Sequence, residues 1–182
     1  MHSAILVIDV QDILFKPLPT PYASQRVIEQ INSLTSWARQ SELPVIFIQH
    51  EKAQSEIAFG TVGWQLDERL TRSDDDLYVR KTTPNSFLHT DLANLLAENE
   101  ISHLYVCGYA SEFCIDTTVR AAAGLGFSVT LVADAHTTHD KEHLSAENII
   151  AHHNATLPNI TSFGVKLNAA KTQNILLDGV GV

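Results

Sequence analysis

Apolar positions fall in short, nearly continuous runs. They stand at 4–10 (AILVIDV), 44–49 (PVIFIQ), 77–81 (LYVRK), 103–108 (HLYVCG), 128–134 (SVTLVAD) and 159–163 (NITSF), and each predicts a strand. The first, second, fourth and fifth are rich in Val, Ile and Leu without alternation, the pattern of strands buried on both faces. Between the runs the spacing changes to three and four. Residues 22–40 place Val27, Ile28, Ile31, Leu34 and Trp37 on one helical face, and 90–99 carry Leu92, Leu95 and Leu96. Helices are also expected over 111–125 and 145–155. Strands alternating with helices imply a three-layer α/β/α sandwich around a mainly parallel sheet, a Rossmann-like arrangement.

The span 50–76 breaks this rhythm, with Gly60, Gly63 and an acidic run at 73–76, and reads as a functional loop. Nothing suggests a repeat or a linker, so 1–182 is expected to be one domain. Hydrophobic residues make up 45% and charged residues 18%, enough for a full core. The net charge of -9 argues against nucleic acid as a partner and leaves a small molecule as the expected ligand. The amino terminus lacks a basic leader, and no run approaches the roughly 18 apolar residues of a membrane span. Two cysteines, Cys107 and Cys114, make neither a disulfide framework nor a zinc pattern, which fits a reducing cytoplasmic setting.

Ligands of parallel α/β sheets sit beyond the carboxyl ends of the strands. The polar residues there are Asp9 and Gln11, Gln49 and His50, Arg80 and Lys81, Cys114 by way of Gly108, and Asp134 and His136. Ser111 is a candidate N-cap that puts Cys114 in the first turn of a helix. A thiol there, with Lys81 nearby, is expected to favour thiolate, and Asp9 could move its proton. Free N–H groups of Ala110 and Cys114 could hold an oxyanion. Cys107 reads as core.

The stretches AILVIDVQD, VRKTTPNSFLHTDLANLL and LYVCGYASEFCIDTTVRAAAGLGFSVTLVADA resemble, in order, three motifs of the isochorismatase-like cysteine hydrolases. The resemblance implies a six-stranded parallel sheet, a catalytic Asp9–Lys81–Cys114 triad and a non-proline cis peptide between Tyr109 and Ala110. It implies an oxyanion hole at Ala110 and Cys114 and, because Cys114 is kept, amidase-type hydrolysis of a C–N bond. An ether hydrolase using Asp9 as acid, and a non-catalytic or redox-sensing protein, remain as alternatives.

The metal-binding motif of the nicotinamidase branch is not reproduced around Gln49, His50 and Glu51, so neither metal nor other cofactor is expected. His136, His139 and His143 have a spacing that could bind zinc, but a polar loop and helix start is the preferred reading. Gln11, Phe15, Trp64, Tyr109 and His136 are the expected substrate contacts; Phe87 and Phe113 fit the core equally well. Members of the family are usually oligomers, so a homodimer or homotetramer is expected.

Overall fold

The computed structural model describes residues 2–178; residue 1 and residues 179–182 of the expected domain lie outside the described residues. Six parallel strands form one sheet: β1 (Ser3–Ile8), β2 (Val45–His50), β3 (Leu77–Lys81), β4 (His103–Tyr109), β5 (Ser128–Thr137) and β6 (Leu167–Ala170). Their order is β3-β2-β1-β4-β5-β6. The chain winds outward through β2 and β3, then returns to start β4 on the other side of β1. The strand order therefore reverses between β1 and β4, where such sheets open a crevice.

The central strands lack alternation because both faces are covered. Along β1, Ala4, Leu6 and Ile8 face a core shared with Leu92 and Leu96 of α3 (Leu92–Glu98) and Val119 and Ala122 of α4 (Asp116–Gly124). Ile5 and Val7 face the opposite core, with Val27, Ile28, Ile31 and Leu34 of α2 (Ser24–Gln40). Each such aliphatic side chain contributes about 1.5–3 kcal/mol on burial, so this pattern fixes the register of β1. Short helices α1 (Asp12–Phe15) and α6 (Thr172–Asp178), and α5 (Ala146–Thr156), complete the layers. Among the described residues no helix is long and apolar enough to cross a membrane.

Two expectations need correction. Residues 159–163 are not a strand: a 3-10 turn covers Leu157–Asn159, and the sixth strand is Leu167–Ala170. It lies at the sheet edge with only Leu167 buried, so it leaves no apolar run. The segment 111–125 opens with a wide π-type turn, Ser111–Ile115, before α4. β5 also runs beyond 134, to Thr137. Its pairing with β4 jumps from Val106↔Leu131 to Gly108↔His136, an irregularity that displaces the strand end.

The 50–76 segment is pinned although irregular. Arg39 pairs bidentately with Asp76 (2.8 and 3.0 Å), and Arg69 with Asp67 (2.7 Å). A bridge between Gln11 and Leu66 ties it to the start of α1.

Candidate active site

Asp9 follows β1 in a left-handed conformation (φ 53) that Asp tolerates better than most residues. Its N–H donates to Ile48 O at 2.9 Å, and the carboxylate is buried. Lys81 ends the edge strand β3, and its side chain is 0% exposed. Its Nζ reaches Asp9 Oδ2 at 2.7 Å, His50 Nδ1 at 3.1 Å, Thr83 O at 3.2 Å and Cys114 Sγ at 3.2 Å. An ammonium has three hydrogens for these four acceptors. Its bond to sulfur therefore competes with the others and gains most when sulfur is charged.

Cys114 is carried by the π-type turn, closed by Ile115 N–H donating to Ala110 O at 3.1 Å. Such wide turns recur at functional sites because they turn one residue out of the helical register. The turn is reached through Gly108, whose φ of +117 is open to glycine. A Cβ there would lie 2.1 Å from Ile8 O, so β4 can approach β1 only with glycine. The Tyr109–Ala110 peptide is cis. Ser111 does not cap the turn; Ala110 holds that position, and Ser111 Oγ is 2.8 Å from His136 Nδ1. The buried imidazole outcompetes the backbone for the hydroxyl.

The resting thiol differs from the sequence expectation. Burial pushes Cys114 up to about 12, with the Asp9 carboxylate adding to the rise and Lys81 opposing it. The sulfur is therefore a thiol at neutral pH, and Asp9 Oδ1 is buried without a hydrogen-bond partner among the described residues. Burial and the Lys81 charge lower the pKa of His50, which keeps the ring neutral.

Asp9, His50 and Cys114 also place ligand atoms within 4.8 Å of one another. Lys81 Nζ contacts Asp9 Oδ2, His50 Nδ1 and Cys114 Sγ, so the ammonium already takes the position of a shared cation. The donor set does not fit a metal with Lys81 in place.

A cavity of about 260 Å³ opens onto Cys114, lined by Asp9, His50, Leu14, Ile57, Pro84, Tyr109, Ala110 and Phe113. Of the expected substrate contacts it holds Tyr109 alone. Phe15 is buried behind it, edge-on to Tyr109 with ring centroids 5.8 Å apart. Gln11 is a brace: its Nε2 donates to His50 O (3.0 Å) and Trp64 O (2.8 Å), and its Oε1 accepts from His50 N–H (2.9 Å). Trp64 lines a separate cleft of about 720 Å³ at the β2–β3 edge, which holds none of Asp9, Lys81 or Cys114.

His136 is buried, bonded to Ser111 and to Asn154 Oδ1 (3.0 Å), and burial lowers its pKa to about 4. His139 bonds the Tyr109 hydroxyl at 2.8 Å, and no metal-ligating group among the described residues contains His136, His139 or His143. In sequence His50 is a strand-end residue with no assigned role, and in the structure it lines the cavity. Phe113, which in sequence fits the pocket mouth or the core, is 54% exposed and lines the cavity. Leu14, Ile57 and Pro84 lie in segments without periodicity and left no signal.

Residues 3–160 match the family model described as Isochorismatase domain. Streptothricin hydrolase of Streptomyces noursei is 34% identical over 139 residues, covering 76% of this chain and 50% of its own length. This chain thus spans about half the length of that relative. Ureidoacrylate amidohydrolase RutB of Caulobacter vibrioides is 26% identical over 100 residues, 55% of this chain and 44% of its own. A crystal structure described as an isochorismatase family protein superposes with a TM-score of 0.85 at 36% identity, over 93% of this chain and 98% of the other.

Proposed function

The chain belongs to the isochorismatase family, a family of hydrolases, and from that premise we propose that it cleaves a C–N bond in a small amide or carbamoyl compound, with Cys114 as nucleophile. The observation that carries this reading is the position of Lys81 Nζ, within hydrogen-bond reach of both Asp9 (2.7 Å) and Cys114 (3.2 Å), two residues that line one cavity. The amidohydrolase among the relatives supports the bond class.

The substrate carbonyl carbon meets Cys114 Sγ while Asp9 takes the thiol proton, so the thiolate need not accumulate. As sulfur gains charge, a Lys81 hydrogen turns to it. The carbonyl oxygen, now an oxyanion, is held by the N–H groups of Ala110 and Cys114. Asp9 returns the proton to the leaving nitrogen, the C–N bond breaks, and ammonia or an amine departs from a thioester. Water, giving a proton to Asp9, attacks the thioester; the acid leaves and Cys114 recovers its proton.

The test is ammonia release from a panel of small amides and carbamoyl compounds. Cys114→Ala is expected to lose at least about a thousandfold in kcat/KM. A Cys114→Ala protein that releases ammonia as fast as wild type would sink the thiol mechanism.

A further inference from the structure

We propose that the pocket selects an uncharged amide with an apolar acyl chain and turns away substrates that carry a carboxylate; the amide half of this rests on the amidase reading above. Leu14, Ile57, Pro84, Tyr109 and Phe113 come from five separate segments and line an open cleft above Cys114. No Arg or Lys lines that space among the described residues. The charges nearby are already matched: Asp9 with Lys81 at 2.7 Å, and Glu112 with Lys141 at 3.0 Å. Lys141 is also drawn to the Phe113 ring, 5.6 Å from its centroid.

A substrate carboxylate would leave water for apolar walls, beside Asp9 and with no unspent cation, and that desolvation has no compensation. The scissile end lies at Cys114, the one place where polar groups converge, and the remainder of the acyl group meets hydrocarbon. The cavity volume of about 260 Å³, at about 30 Å³ per water displaced, holds about nine waters, room for an amide of roughly that many non-hydrogen atoms such as hexanamide. Phe113 is 54% exposed and forms the outer wall, so an occupant would cover an aromatic face the core leaves open.

Two experiments separate this inference from the amidase reading. The first needs no turnover. Alkylation of Cys114 by iodoacetamide and by iodoacetate is timed by peptide mass, each rate divided by that of free cysteine. The normalised preference for the neutral reagent is expected to be at least about tenfold; no preference, or one for iodoacetate, overturns the inference.

The second compares propanamide through hexanamide with adipamic acid, in which a carboxylate replaces the terminal methyl of hexanamide. In the neutral series kcat/KM is expected to rise about fourfold per methylene, and adipamic acid to fall at least about a hundredfold below hexanamide. Phe113→Ala, at an exposed position, should flatten the chain-length dependence. Equal turnover of acid and neutral amides overturns the pocket inference and leaves the amidase reading standing. A charge-selective thiol with every amide inert overturns the amidase reading, and with it the amide half of the inference, and leaves the exclusion of carboxylates standing.

Discussion

Replacing Lys81 by Met should cost stability, and the size of the loss follows from burial. The Lys81 side chain is 0% exposed and Asp9 2%, with Nζ and Oδ2 2.7 Å apart. Met fills most of the volume but leaves the Asp9 carboxylate buried without its cation. Its second oxygen, Oδ1, already has no partner among the described residues. Removing one member of such a pair costs about 3–5 kcal/mol. At about 2–4 °C per kcal/mol for a chain of this length, the melting temperature should fall by roughly 6–20 °C. Thr83 O and His50 Nδ1 would lose a donor as well. The paired change Asp9→Asn with Lys81→Met removes both charges and should recover at least about 2 kcal/mol relative to Lys81→Met. Urea denaturation of the wild type, both single variants and the double variant measures the cycle. A Lys81→Met loss below about 1 kcal/mol, or a double variant no more stable than Lys81→Met, would refute the reasoning.

The Cys114 thiol, pushed up to about 12 by burial and Asp9, should alkylate at a rate that still climbs beyond pH 10; a plateau with a midpoint below about 8.5, the free-thiol value, would contradict this. His136 has a folded-state pKa of about 4 against about 6.5 unfolded, so the unfolded chain binds the extra proton between them. Its contribution is full above pH 6.5 and is lost as pH falls toward 4, by up to about 3 kcal/mol. His136→Gln should show a correspondingly flatter stability profile between pH 7 and 4, and an equal slope would count against it. Gly108→Ala, forcing a Cβ to 2.1 Å from Ile8 O at φ +117, should cost about 2–5 kcal/mol by melting. Gly60→Ala, with nothing within 4 Å, carries only the left-handed strain of about 1 kcal/mol.

The fold was legible where burial is two-sided. β1, β2, β4 and β5 need apolar residues on both faces, and a run such as AILVIDV can be little else. β6 leaves no run because it is an edge strand with only Leu167 buried, while Ile160 packs against the core from a non-strand segment. Asp9 and Lys81 are legible as strand-end residues and Cys114 as a first-turn thiol, the family resemblance names the three together, and the structure brings Lys81 against both of the others. The pocket was far less legible. Gln11 looks like a ligand in sequence, but the loop it ties down uses both of its amide atoms. Ser111 looks like a cap, but His136, displaced by the irregularity in β5, reaches it first. The state of the thiol also escaped the sequence, because a helix start and a nearby Lys predict thiolate only where burial and a carboxylate do not outweigh them.

The central claim is that Cys114 carries the acyl group between the two halves of the reaction. Intact-mass and peptide-mass measurement of enzyme quenched during turnover of a cleaved amide tests it most directly. The account predicts an added mass equal to the acyl group, located on the Cys114 peptide and absent from Cys114→Ala. Undiminished turnover by Cys114→Ala, or steady turnover with no adduct on Cys114 under conditions that preserve thioesters and slow deacylation, would contradict it.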